Sequence, residues 1–158
     1  MTVSEYQAGV IRGVGAVLAH TVSAMPEERL DWHPSADAQS KSRSALDLIS
    51  ECITVNRECA ARLRGETPPP RGEGRPFSNG QEAQTQVQES ANDLAASVAA
   101  LDEEGWNRIH TLPFGPIPAT MLVQITTGNM QYHFGQINFI QTLYGDMEFH
   151  LPPTLFSK

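Results

Sequence analysis

Apolar residues recur at three- and four-residue spacings in four long stretches of the chain, the pattern of helices that each bury one face. The first stretch covers about 4–24. Val3, Tyr6, Val10, Val14 and Val17 form one stripe, and Ile11, Leu18, Val22 and Met25 a second beside it. Two adjacent stripes predict a helix that meets two neighbours. Thr2 with Glu5 three residues on reads as a capping box, and Pro26 ends the helix or opens a short turn over Pro26-Glu27-Glu28-Arg29.

The second stretch, 45–64, opens at Ser44 with Asp47 in the reciprocal capping position. Leu46, Ile49, Ile53, Ala60 and Leu63 mark one face, and Leu48, Cys52, Val55 and Cys59 a second. Gly65 and then Pro68-Pro69-Pro70 stop it, because proline lacks the amide hydrogen and clashes with the preceding turn. Residues 65–80, rich in Gly, Pro and Arg, predict a long crossover loop. The third stretch, 80–101, starts from Asn79 and carries a single narrow seam of Ala83, Val87, Ala91, Leu94, Val98 and Leu101.

A second long connection, 102–118, holds Trp106, Ile109, Leu112 and Phe114, which are expected to pack, and ends in the rigid Gly115-Pro116-Ile117-Pro118. The fourth stretch, 119–144, repeats Met121, Leu122, Ile125, Tyr132, Ile137, Phe139, Ile140 and Leu143 and stops at Gly145. A tail with Phe149, Leu151, Leu155 and Phe156 is expected to cross the end of the bundle. No segment shows strand alternation. The expected fold class is therefore all-α, a four-helix bundle with long crossover connections, built as one domain over 1–158. The double stripes on the first two helices exceed what one neighbour pair needs and predict a homodimer.

Composition narrows the function classes. The net charge is −7 and the basic residues Arg57, Arg62, Arg64, Arg71 and Arg75 are broken up by prolines and acids. Binding to nucleic acid needs clustered positive charge and is not expected. No apolar run of about eighteen residues exists for a membrane span, and Glu5 and Arg12 fall where a signal peptide would be apolar. A cytoplasmic location is the expectation. Cys52 and Cys59 are seven residues apart on one predicted helix, about 10 Å along its axis. That is too far for a disulfide, and free thiols are expected.

The stretch with most chemical content is Asn129-Met130-Gln131-Tyr132-His133-Phe134-Gly135-Gln136-Ile137, continuing to Gly145-Asp146. It resembles the last helix of DinB/YfiT-like proteins, where histidines precede Gly-Gln-Ile and the helix closes at Gly-Asp. Met25-Pro26-Glu27-Glu28-Arg29-Leu30-Asp31-Trp32-His33-Pro34 is similar to that family's loop after helix one, and Ser44-Ala45-Leu46-Asp47-Leu48-Ile49-Ser50-Glu51 to its helix-two start. The resemblance implies a metal triad of one histidine on helix two and two on helix four at i and i+4, a spacing that puts both imidazoles on one face. Carried over by position, the three places are Glu51, Asn129 and His133. Only His133 is a histidine. A Glu-Asn-His set should hold zinc or nickel more weakly than three imidazoles, although an amide oxygen can serve a hard cation. The alternatives are a hydrogen-bonded polar cluster without metal, or a helix-two register in which Glu51 is not the matching position.

Tyr132, Gln136 and His20 are candidate pocket residues, with Tyr132 and His20 equally readable as core. His33, His110 and His150 fall in loops or the tail. Phosphate-loop, nucleophile-elbow, His-Glu-x-x-His and Cys-x-x-Cys signatures are absent. Two functions follow. The resemblance implies a metal-dependent thiol transferase or related enzyme, in which a divalent ion activates a thiol. The degraded triad instead suggests a non-catalytic bundle that binds a small molecule, a thiol ligand or a protein partner, with a stress-related role.

Overall fold

Thr2 opens the first helix, α1 (Val3–Ala24), as the capping pattern predicts. Its hydroxyl accepts from the Glu5 amide and the Glu5 carboxylate accepts from the Thr2 amide at 2.7 Å. The computed structural model describes residues 1–35, 42–72 and 74–153. A single turn, α2 (Glu27–Leu30), follows Pro26. The long helices continue as α3 (Ala45–Leu63), capped by the Ser44/Asp47 box, and α4 (Gly80–Ala99), capped by Asn79. A short α5 (Glu103–Asn107), strands β1 (Ile109–Leu112) and β2 (Gly115–Pro118), and α6 (Ala119–Leu143) complete the chain. The four predicted helices are all present, within two residues at their ends.

The order of packing is not the order of sequence. α1 packs most closely on α4, α4 also on α3, α3 on α6, and α6 back on α1. Consecutive long helices α1 and α3 therefore stand diagonally across the bundle, as do α4 and α6. Ser4 Oγ donates to Leu101 O and Gly15 lies against Ala91, so α1 and α4 are antiparallel. Arg57 bonds Gln86 while Arg64 bonds Asp93 and Ser97, so α3 and α4 are parallel. Each diagonal or parallel link needs a long connector, which is why none of the three is a tight turn.

The connector over 64–79 runs back along α3 and is held by charge. Arg71 makes a two-pronged contact with Glu58. Arg75 bonds Asp31, Asp47 and the Ser44 hydroxyl. Gln86 donates to Pro76 O at 2.7 Å, and Phe77 is buried. The arginines that break up into a loop in the sequence are thus its fastenings.

Two features differ from the sequence expectation, besides the exposed Met121, Ile125, Tyr132, Phe139 and Leu143 of the α6 apolar repeat. Residues 109–118 form an antiparallel hairpin, pairing Ile109 with Pro118 and Leu112 with Gly115. Four-residue strands are too short to show alternation, and two of the four β2 residues are prolines, which hides the pairing. Gly115 turns the chain with φ +130°, a left-handed conformation that glycine adopts at little cost. Within this connection Leu112 and Trp106 pack on the core, whereas Ile109 and Phe114 are exposed. The second difference is on α1. Ile11, Leu18, Val22 and Met25 are buried, while Val3 and Tyr6 remain exposed and Val10, Val14 and Val17 are half-buried. In the tail, Phe149 lies against Phe134 with ring centroids 5.6 Å apart. Leu155 and Phe156 lie outside the described residues. Cys52 and Cys59 are free and buried.

The α1–α4 contact depends on one missing side chain. A Cβ on Gly15 would stand 2.4 Å from the Ala91 Cβ, whereas a Cβ on Gly13 meets nothing within 4 Å. Gly15→Ala should therefore destabilise the protein by about 1–3 kcal/mol through overpacking, despite gaining up to about 1 kcal/mol of helix propensity. Gly13→Ala should raise the denaturation midpoint. Urea titrations of the two variants beside the parent check the pair.

Candidate functional site

α3 and α6 run antiparallel. Cys59 approaches Thr126 near one end of the contact, and Glu51 faces Asn129 and His133 at the other. The polar positions there fall between buried apolar ones, Leu48 and Cys52 on α3 and Met130 and Ile137 on α6. Helical spacing sets Asn129 and His133 one turn apart on the same face.

The three residues named from the sequence form a triangle. Asn129 Nδ2 is 3.1 Å from Glu51 Oε1 and 3.1 Å from His133 Nε2, and those two atoms are 3.1 Å from each other. The amide nitrogen carries two hydrogens, one for each acceptor. On the far side of the ring, His133 Nδ1 is 2.7 Å from Gln136 Oε1. With Nδ1–H donated to Gln136, the ring turns Nε2 toward both Asn129 and Glu51. Gln136 Nε2 then donates to the Tyr132 hydroxyl at 3.1 Å. A continuous relay leads from a carboxylate on α3 to a phenol on the surface of α6. His133 is buried, with 3% of its side chain exposed, while Glu51 is 38% exposed.

The other Glu51 oxygen is taken by Arg43, which stands one residue ahead of the α3 cap and also donates to Asp47 O at 2.9 Å. Burial acts to raise the Glu51 carboxyl, but the His133 contact, the Arg43 guanidinium and the Asn129 amide outweigh it and hold the group at about 2. Arg43 was not singled out from the sequence. Its only signal there is a cation two turns before Glu51, just outside the helix.

Beside the relay lies a cavity of about 700 Å³. Its wall is mostly apolar, including Leu48, Phe139, Ile140 and Leu143, and Arg43, Tyr132 and Gln136 supply polar edges. Tyr132 and Gln136, named from the sequence as pocket candidates, line this cavity. His20 does not line this cavity; it is half-buried on α1. His33 Nδ1 is 2.6 Å from Ser42 O, and His150 pairs with Asp146 at 2.7 Å. His110 is buried in the hairpin, and burial and then Arg108 and Arg62 lower its pKa. Burial pushes Cys52 up to about 12 and Cys59 to about 11, so neither is a ready nucleophile. Among the described residues, no three His, Cys, Asp or Glu side chains converge as a metal-holding group, and no helix is long and apolar enough to cross a membrane.

The DinB superfamily model matches residues 11–137, which reach into all four long helices and include the relay from Glu51 to Gln136. The chain belongs to the DinB superfamily. Two solved structures share the fold. A DinB-like protein of Bacillus subtilis aligns over 93% of this chain and 96% of its own, with 16% identity and a TM-score of 0.73. YfiT of Bacillus subtilis, described as a probable metal-dependent hydrolase with an unusual four-helix bundle topology, aligns over 92% of this chain and 90% of its own, with 13% identity and a TM-score of 0.75. No curated protein matches the chain.

The Glu51 environment gives a signed pH dependence. Its carboxyl is held at about 2, below the ordinary value of 4.5. A depressed carboxyl contributes stability that is present above the unfolded value and is lost as pH falls through the folded one. The melting-temperature difference between the parent and Glu51→Gln should therefore be constant above about pH 5.5 and shrink steadily toward pH 2. A difference that stays flat across this range would remove the interaction from the stability of the fold.

Proposed function

We propose that this DinB-superfamily bundle binds a small, mainly apolar molecule in the cavity beside the relay, with the Arg43, Gln136 and Tyr132 edge reading a polar group on it. One observation carries the reading: the Asn129 amide nitrogen stands 3.1 Å from both Glu51 Oε1 and His133 Nε2, at the position where the family resemblance implies a further imidazole. Glu51 Oε1 and His133 Nε2, 3.1 Å apart, are thus engaged by the protein's own groups.

The metal that the family resemblance implies, zinc or nickel, does not fit these residues. Two of the three imidazole positions hold a carboxylate and an amide, and the carboxylate is already neutralised by a guanidinium that would repel a divalent ion. A hydrolysis of the kind ascribed to YfiT, or a thiol transfer, would require an activating centre of that sort. The chain's own thiols offer no substitute, being buried and held protonated. The cavity remains, with the size and mixed wall usual for a small-molecule site.

Two experiments test the reading. The purified parent should hold zinc or nickel weakly, and Glu51→His with Asn129→His should bind one equivalent tightly and melt higher when it is added, because the ion binds only the folded state. One equivalent of tightly held metal in the parent would overturn the proposal. For the cavity, the environment-sensitive dye anilinonaphthalene sulfonate should bind the parent at a single site. Gly135→Phe points a ring into the cavity from a position where a Cβ meets nothing within 4 Å. It should reduce dye affinity at least tenfold with little change in melting temperature.

A further inference from the structure

The relay has a second side. The Asn129 amide nitrogen is held by Glu51 and His133, each at 3.1 Å. Because the Glu51 carboxylate only accepts, the amide cannot turn over without setting oxygen against oxygen. Its orientation is therefore fixed, and Oδ1 is the polar atom left over. That oxygen is buried and has no hydrogen-bond partner among the described residues. A buried acceptor in this state costs the fold free energy until a donor reaches it.

Asn129 does not line the cavity beside Tyr132 and Gln136. It lines another, of about 620 Å³, enclosed by α3, α6, the connector and the tip of the hairpin. Val55 of α3, Ile125 of α6, Pro69 of the connector, and Pro113 and Phe114 of the hairpin form its apolar wall. Proline and phenylalanine rings offer stiff, flat faces. The fold leaves two of these large side chains uncovered: Phe114 is 71% exposed and Ile125 45%. At the charged edge, Arg71 grips Glu58 in a two-pronged contact, while Arg62 donates to Thr111 O at 3.4 Å.

We infer that this cavity is a second binding site, separate from the one beside Tyr132 and Gln136, for a neutral aromatic molecule that donates one hydrogen bond to Asn129 Oδ1. The class follows from what the site rejects. A carboxylate has no hydrogen to give and would set its own oxygens against Oδ1. An ammonium group has the hydrogens but meets the Arg62 guanidinium, which rests on a carbonyl oxygen and not on a carboxylate. A neutral O–H or N–H on a flat ring meets both conditions. Seating it requires the wall over Oδ1 to part, and the unmet hydrogen bond favours that opening. The volume lies within the range usual for small-molecule sites.

The probe is 2-naphthol, a neutral ring with one hydroxyl, compared with 2-methoxynaphthalene, which keeps the ring and lacks the hydrogen. Isothermal titration should show one equivalent of 2-naphthol bound at least tenfold tighter than the ether, because the ether leaves a buried polar group unpaired. Ile125→Trp fills this cavity from a half-exposed position, so its melting temperature should hold while 2-naphthol affinity falls at least tenfold. Gly135→Phe, which blocks the other cavity, should leave that affinity within twofold. The reverse pattern would put the probe in the other cavity, overturning this inference and leaving the reading of that cavity intact. Absence of binding, equal affinity for alcohol and ether, or binding that neither variant changes also overturns it. Asn129→Leu removes the acceptor at similar size and should bring the two ligands within twofold of each other; a retained preference for the alcohol overturns the assignment of Oδ1. That variant also breaks the relay, so thermal melting checks its fold. If it does not fold, the alcohol-to-ether ratio in the parent and its response to Ile125→Trp decide.

Discussion

Arg75 ties together three parts of the chain: its own connector, the turn after α2 and the start of α3. Its guanidinium reaches Asp31 after α2, Asp47 in the first turn of α3, and the Ser44 hydroxyl that caps that helix. It does so from the connector that runs the length of the bundle between two parallel helices. A connector of that length has many conformations to lose on folding. It holds its course because a half-buried arginine fork meets two carboxylates that repel each other when left alone. Burial and the two partners act on both sides of the contact. The Asp31 carboxyl is lowered chiefly by its Arg75 hydrogen bond, and that of Asp47 is lowered by Arg75 and Ser44 against the opposing effect of burial. The start of α3, and with it the placement of Arg43 and Glu51, depends on this knot.

The helices were legible because their evidence is local. Thr2/Glu5 and Ser44/Asp47 each satisfy orphan amides within three residues, and apolar residues three and four apart need no knowledge of the rest of the fold. The hairpin was hidden because its pairing is held by backbone bonds between four-residue strands, one with proline at two of four positions. The upper stripe on α1 was misread for a different reason. Periodicity reports which residues share a face but not how fully a neighbour covers it. Val3 and Tyr6 line an open groove shared with Trp106 and with Thr120 and Gln124 of α6, and they remain exposed there.

The site was legible in part for the same reason. Asn129 and His133 lie on one helix, so their spacing fixes their common face. Glu51 joins them across the α3–α6 contact only through the family register, and the structure brings it there. What the sequence did not disclose is the second partner of that carboxylate. Arg43 lies outside the helix, eight residues from Glu51, and reaches it only because Ser44 turns the chain into α3 at a fixed angle. Gln136 was named as a pocket residue; its role in setting the histidine tautomer follows from a hydrogen bond that no periodicity encodes.

The diagonal placement of successive helices bears on how the chain reaches this state. α1 finds its most extensive contact with α4, whose first residue is Gly80, and α3 packs on α4 and α6. During synthesis, the first half of the chain can therefore form two helices that scarcely touch. Their native partners do not exist until the second half emerges. In most helical bundles a hairpin of neighbouring helices docks early and locally, which keeps the loops to be closed short and folding fast. Here every principal helix pair is separated by a connector or by a whole helix. The nucleus must therefore close loops of tens of residues, and folding should be slow for an all-helical domain of this size.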